Sequence, residues 1–156
     1  MSLLNGRQWV VENLHDATIE ITIEKIHQTV FVSSCSKAVI HVRNKCNNII
    51  IQNCETTEIR FQTVMASLEV MHSKGIKLIC SIHIPTITID SVDKILIELP
   101  VTSLDAQILS CKSSDMNVRW PDSSSHGGFI DRPLPQQFTH RIVDDKTIST
   151  VPSILY

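Results

Sequence analysis

The chain has 156 residues, and its 14 basic and 16 acidic residues give a formal net charge of −2. This length suits one domain with a sizeable core, and the balanced charge gives no reason to expect nucleic acid or an anionic membrane as a partner. No apolar run approaches the ~20 residues of a membrane span. Residues 1–11 include Arg7 and Gln8 and lack the apolar core of a signal peptide, so we expect a cytoplasmic protein.

The sequence carries no recognisable catalytic or metal-binding motif. Its seven histidines are scattered, and its five cysteines form no C-x-x-C pair. No P-loop, G-x-G-x-x-G, H-E-x-x-H or G-x-S-x-G is present. We therefore expect no enzyme, no cofactor and no metal site, and we expect the cysteines to be small apolar residues at corners of the fold. These are Cys35, Cys46, Cys54, Cys80 and Cys111.

The chain begins with one predicted strand and continues into a long series of alternating segments. Trp9 and Val11 alternate around Val10, and a polar stretch follows. From Thr18 to Trp120, large aliphatic residues recur two positions apart, which is the period of a strand with one buried face. The segments are Ile19/Ile21/Ile23, Val30/Val32, Ile40/Val42, Ile49/Ile51, Ile59/Phe61, Leu68/Val70, Ile76/Leu78, Ile87/Ile89, Ile95/Ile97, Ala106/Ile108 and Met116/Val118.

The spacing of these segments favours a parallel β-helix. Their first residues span 116 − 19 = 97 residues in ten steps, and only Gly75 and no Asn-Gly or Asp-Gly turn lies between residues 18 and 120. If each strand stacks on the next but one, a coil takes just over nineteen residues and five or six coils form. A sandwich or barrel remains the alternative.

Several outward positions of this ladder are apolar. They are Phe31, Ile50, Met71, Ile79 and Leu96. Isolated exposed apolar residues are normal in soluble proteins, but a row of them would mark a contact surface.

The composition changes after Trp120. Residues 1–120 are expected to form the β-helix, and the proline- and glycine-rich residues 121–135 a strap or linker. Within residues 136–156, Phe138–Val143 and Thr147–Val151 predict a hairpin, which Pro152 should end before an apolar tail. Two strands alone are marginally stable, so we expect them to dock on their own ladder or on a second subunit.

Specific words in the sequence resemble the C-terminal domain of cyclase-associated proteins. They are R-Q-W-V-V-E-N near the start, K-C-N-N-I-I-I-Q-N-C at 45–54, I-P-T-I-T-I at 84–89, S-S-D-M-N-V at 113–118, P-L-P-Q-Q-F at 133–138 and the closing T-I-S-T-V at 147–151. They follow the family's order and spacing across nearly the whole chain. The resemblance implies a right-handed parallel β-helix of about six coils, with a C-terminal hairpin exchanged in a homodimer.

The resemblance also implies a function. The family's C-terminal domain binds monomeric actin, prefers the ADP-bound form and helps to recycle it, assisting nucleotide exchange. Candidate actin-binding residues carried over on the matching words and their rim are Lys45, Asn47, Gln52, Asn53, Lys112, Ser113, Ser114, Asp115, Asn117 and Arg119. Candidate dimerisation residues are Phe138, Ile142, Val143, Thr147, Ile148 and Val151.

Two features of related proteins are not expected here. Longer family members carry a cyclase-binding helical region, proline-rich segments and a WH2 motif before this domain, which here begins within the first ten residues, so binding of adenylyl cyclase is not expected. Tubulin cofactor C shares the β-helix and stimulates GTP hydrolysis with the arginine of a Q-x-R motif. None of this chain's glutamines has an arginine two positions later, so this activity is the less favoured alternative.

Overall fold

The computed structural model describes residues 1–124 and 126–153, and these form an all-β fold with no α-helix. The described residues contain no helix with the length and hydrophobicity of a membrane span. The strands are β1 (Ser2–Leu4), β2 (Gln8–Glu12), β3 (Thr18–Thr22), β4 (Thr29–Ser33), β5 (Val39–Gln52), β6 (Glu55–His83), β7 (Thr86–Glu98), β8 (Gln107–Cys111), β9 (Ser114–Pro121), β10 (Phe129–Pro133), β11 (Phe138–Val143) and β12 (Thr147–Pro152), with a 3-10 turn at Val101–Ser103.

Parallel pairing between successive coils confirms the predicted β-helix of about six turns. Val30 pairs with Ile49, Ile49 with Leu68 and Leu68 with Ile87, so a central coil takes 49 − 30 = 19 residues. Ile87 then pairs with Ile108, which makes the last step 108 − 87 = 21 residues. Because ladder bonds continue around the bends, several predicted short segments merge into the long strands β5, β6 and β7.

The predicted inward column is the core of the molecule. Ile21, Ile40, Ile49, Ile59 and Leu78 are completely buried. Each such side chain stabilises the fold by roughly 1.5–3 kcal/mol before the loss of conformational entropy is subtracted. Ile19, Ala106 and Ile108 are only partly buried because they lie in the end coils, which have a neighbour on one side only.

Every coil turns one corner with the same backbone conformation. Asn53 (φ 51°) and Thr56 (φ 48°) are left-handed and flank Cys54 and Glu55. The same arrangement recurs in six coils, with the pairs Asn13/Asp16, Ser34/Lys37, Asn53/Thr56, His72/Gly75, Ser91/Lys94 and Lys112/Asp115. Asn, Asp and Gly, which tolerate this conformation best, fill five of these twelve positions, and the polar residues Ser, Thr, His and Lys fill the other seven.

Two of the cysteines occupy the inner side of this corner, as expected. Cys35 and Cys54 are buried, and their thiols donate to the carbonyl oxygens of Ser33 (3.4 Å) and Gln52 (3.3 Å). Cys46 and Cys80 are also buried, whereas Cys111 at the end of β8 is exposed.

The two ends of the β-helix carry antiparallel strands. At the start, β1 pairs with β2 across a turn in which Asn5 (φ 52°) and Gly6 (φ 64°) are left-handed. The sequence predicted only one strand here, because the three residues of β1 are too few to show a period. At the other end, β10 pairs with β9, so the strap contains a strand that covers the last coil.

The predicted C-terminal hairpin is present as a separate two-stranded sheet. β11 and β12 pair in antiparallel register, with Ile142 opposite Ile148, and β12 ends at Pro152 as expected. All residues of both strands are exposed. The apolar tail expected after Pro152 lies mostly outside the described residues, which end at 153.

Candidate protein-binding surfaces

One face of the β-helix carries an apolar row on its outside. This first face consists of β2, β4, residues 48–52 of β5, 67–71 of β6, 86–90 of β7, and β8. The register aligns its middle outward positions from coil to coil as Val10, Phe31, Ile50, Glu69, Thr88 and Leu109. The neighbouring row includes Met71. Three of the five apolar outward residues noted in the sequence therefore share this face.

The charges on the first face have one sign. Its outward charged residues are Glu12, Glu69 and Asp90, and no lysine or arginine occupies an outward position of its strands. None of these carboxylates takes part in an ion pair with another described residue. A flat, partly apolar surface with few and unpaired charges has the composition of an interface core.

The second face has the opposite character. It consists of β3, residues 39–43 of β5, 58–61 and 76–79 of β6, 93–98 of β7, and β9 with β10. Charges of both signs alternate there, and ion pairs join Arg43 to Glu20 and Arg119 to Asp131, each at 2.7 Å. Mixed charges that neutralise one another are typical of a solvated surface, where each pair contributes little to stability.

The early group of candidate actin-binding residues borders the first face. Lys45 and Asn47 are exposed and lie just before the part of β5 that belongs to this face. Gln52 is a half-exposed outward residue of the face itself, and Asn53 follows at the corner. These four residues therefore lie at the two ends of one strand whose middle outward residue is Ile50.

The late group lies at the last corner of the same edge. Lys112 and Asp115 are the two left-handed residues of that corner. The Ser113 hydroxyl accepts the Val92 N–H (3.0 Å) and donates to the Cys111 carbonyl (2.8 Å), so it serves the corner. Ser114 donates to Asp93 at 2.9 Å. Lys112 stands three coil steps beyond Asn53, or about 14 Å at the usual spacing between strands.

Asn117 and Arg119 lie around the corner, on the second face. As predicted, Met116 and Val118 point inward, being 2% and 6% exposed. Asn117 donates to Asp115 (3.4 Å), and Arg119 donates to Asp131 (2.7 Å), which raises the pKa of its guanidinium. One flat contact cannot cover all ten candidates, because these two residues and the early group belong to different faces.

The candidate dimerisation residues divide between the two sides of the hairpin. Because side chains alternate along a strand, one side carries Phe138, Ile142 and Ile148, and the other Val143, Thr147 and Val151. Ile142 and Ile148 are 78% and 66% exposed. Apolar residues on both sides of an exposed ribbon indicate that both sides require a partner.

The last strand of the first face also lacks a neighbour. Among the described strands, β8 pairs only with β7, whereas β9 is covered by β10. An open strand edge presents unpaired backbone N–H and C=O groups that can accept another strand. The sequence did not predict this open edge, because the edge depends on which strand of the last coil β10 covers.

Comparison with known proteins places this architecture in a family. A family model described as "Adenylate cyclase associated (CAP) C terminal" matches residues 1–154. Cyclase-associated protein 1 of Arabidopsis thaliana is 30% identical over 96% of this chain. Adenylyl cyclase-associated protein 1 of Bos taurus is 32% identical over 97%. The chain spans 32% of the length of each of these relatives.

A solved structure gives the same result. The crystal structure of cyclase-associated protein from Cryptosporidium parvum superposes with a TM-score of 0.89 at 26% identity. The match covers 96% of this chain and 93% of that one. The chain therefore belongs to the adenylate cyclase-associated protein family and corresponds to its C-terminal domain.

Proposed function

We propose that this domain binds monomeric actin without being an enzyme, prefers the ADP-bound form, and assists its nucleotide exchange and recycling. Family membership suggests the partner, and the observation that carries the proposal is the apolar row of the first face. Phe31 and Ile50 are adjacent in register and half-buried before any partner binds. A partner that covers such a row removes apolar surface from water, which is favourable by about 25 cal/mol per Å² of apolar surface.

Charge supports a protein partner for this face. Glu12, Glu69 and Asp90 would lie near the rim of the contact, where they can meet basic side chains of the partner. The early candidates Lys45, Asn47, Gln52 and Asn53 border the same strand of the face, and we propose that they contribute polar contacts at its edges.

Titration of labelled actin monomer tests the proposal. Ile50→Lys places a charge in the middle of the row, and we expect affinity for ADP-actin to fall at least several-fold, since a central contact is typically worth on the order of 1–3 kcal/mol. Ile79→Lys is the matched control, because Ile79 is a half-exposed outward isoleucine that pairs with Glu98 on the second face. Absence of binding by the wild type would refute the proposed function.

The late group is tested separately. In the same titration, Asp115→Ala/Asn117→Ala should weaken binding by at least several-fold if the contact extends around the last corner. Unchanged affinity in a folded variant would exclude these two residues from the site. Repeating the wild-type titration with ATP-actin measures the proposed preference, which requires weaker binding than to ADP-actin. Release of labelled nucleotide from actin, faster with the domain than without it, tests the exchange role.

We also propose that the domain is a homodimer formed through the hairpin. Its exposed apolar residues on both sides need cover, and the open edge of β8 offers a place for a strand of the second copy. Pairing there would satisfy the free backbone groups of β8 and bring the apolar residues of the ribbon against the second copy.

Sedimentation at micromolar concentration tests this dimer. Ile142→Asp/Ile148→Asp should yield monomers, because two desolvated carboxylates would face each other across the ribbon. Ile26→Asp is the matched control. Ile26 is also an exposed isoleucine, at 52%, but it lies outside the hairpin, so this variant should leave the dimer intact. A wild type that sediments as a monomer would refute the proposal. No observation favours a GTPase-activating role, so we expect no acceleration of GTP hydrolysis.

A further inference from the structure

Two arginines border a shallow depression on the second face. Its lining includes His41 and Arg43 from one coil, Arg60 and Gln62 from the next, and Ile79 and Ser81 beyond them. The register places His41 opposite Arg60, so the charged groups come from neighbouring coils. The depression has a volume of about 330 Å³, at the small end of the range of ligand sites.

Both guanidiniums contact a carboxylate through Nε, and their Nη groups remain available as hydrogen-bond donors. Arg60 donates its Nε–H to Glu58, and Arg43 Nε forms an ion pair with Glu20, each at 2.7 Å. Within residues 1–124 and 126–153, their Nη atoms donate to no other group. A guanidinium anchored through Nε loses less conformational entropy when its remaining N–H groups bind a ligand.

The local charge leaves room for an anion. Lys77, which lies outside the lining, approaches Glu58 at 3.7 Å, so Glu58 is shared between Arg60 and Lys77, while Arg43 is paired with Glu20. Gln62 accepts the Asn44 N–H at 2.7 Å through Oε1, which leaves its amide NH2 as a further donor. The unused donors of Arg43, Arg60 and Gln62 match in number the three acceptor oxygens of a phosphate monoester, one more than a carboxylate offers.

We propose that this depression binds the phosphate group of a phosphorylated serine or threonine side chain on a partner protein. A phosphate monoester carries close to two negative charges at neutral pH and three acceptor oxygens, which match the anchored guanidiniums. Phe61 is 3% exposed, so its ring is not available for a nucleotide base to stack on. The site lies on a different face from the proposed actin contact and does not depend on it.

Amide chemical shifts of the full chain, titrated with N-acetyl phosphoserine amide, test the site. We expect shifts at residues 41–44 and 60–62, and at least a ten-fold loss of affinity in Arg43→Gln/Arg60→Gln. Arg7→Gln is the matched control, because the structure shows the exposed Arg7 only in backbone hydrogen bonds. Because the variants change exposed side chains, matching spectra elsewhere in the chain establish that they fold.

Three further ligands define what would overturn the inference. N-acetyl aspartate amide should bind at least ten-fold more weakly, and equal binding would show a carboxylate site instead. Inorganic phosphate or ADP binding more tightly than phosphoserine amide would show a site for free phosphate compounds. No shifts at residues 41–44 and 60–62, or equal affinity in the double variant, would refute the site itself.

Discussion

Gln28 fastens the N-terminal hairpin to the first coil, and replacing it should destabilise the fold measurably. The side chain is 2% exposed. Its Oε1 accepts from Trp9 Nε1 (3.2 Å) and from the Glu24 N–H (3.1 Å), and its Nε2 donates to the Gly6 carbonyl (3.1 Å). Gln28→Met keeps the length and volume of the side chain and removes all three hydrogen bonds.

The expected loss follows from these bonds. A typical hydrogen bond contributes about 0.5–1.5 kcal/mol net, and three would give about 1.5–4.5 kcal/mol. Gly6 and Glu24 are exposed, so water can satisfy their freed backbone groups. The expected loss therefore lies in the lower part of that range. We expect the free energy of unfolding to fall by about 2–3 kcal/mol.

Urea denaturation at fixed protein concentration measures this change. With a slope of about 2 kcal/mol per M, the midpoint should fall by roughly 1–1.5 M. Gln107→Met is the control, since Gln107 is exposed and should change stability by no more than about 0.5 kcal/mol. A variant that unfolds at the wild-type urea concentration would show that Gln28 does not hold the hairpin to the coil.

Three other predictions concern the thiols and the first turn. Burial raises the pKa of the thiols to about 11 at Cys46, Cys54 and Cys80. We expect a thiol reagent at pH 8 to modify one cysteine per native chain, the exposed Cys111, and mass spectrometry showing modification of the buried thiols would contradict this. The raised pKa means that the folded state favours the protonated thiol. The free energy of unfolding should therefore keep its full value below pH 9.0 and fall as the pH rises toward about 11. Urea midpoints measured across that range test this. Gly6→Ala should lower the free energy of unfolding by about 1–2 kcal/mol, because the φ of Gly6 is +64°. An added Cβ meets no atom within 4 Å, so the loss comes from the backbone conformation and not from a clash. An unchanged urea midpoint would refute that account.

The elements that the sequence predicted are those encoded by local alternation. Ile49 and Ile51 are two positions apart on one strand, and their burial follows from the pleat of that strand alone. The same holds for the hairpin, whose two apolar runs flank Asp144 and Asp145, both left-handed in the structure. The strand β1 was missed although Asn5-Gly6 is a strong hairpin signal, since three residues before it give no periodicity to detect.

The sequence by itself determined the inward column and the coil length, and the scarcity of tight turns favoured the β-helix over a sandwich, because a sandwich of short strands needs several hairpin turns. Only the tertiary structure decided which outward residues become neighbours. Val10, Phe31 and Ile50 are 21 and 19 residues apart along the chain, and only the pairing register places them in one row. The register likewise puts Arg60 opposite His41, and the capping of β9 by β10 leaves β8 open. Surfaces for partners therefore depend on stacking between coils, which no local pattern of residues encodes.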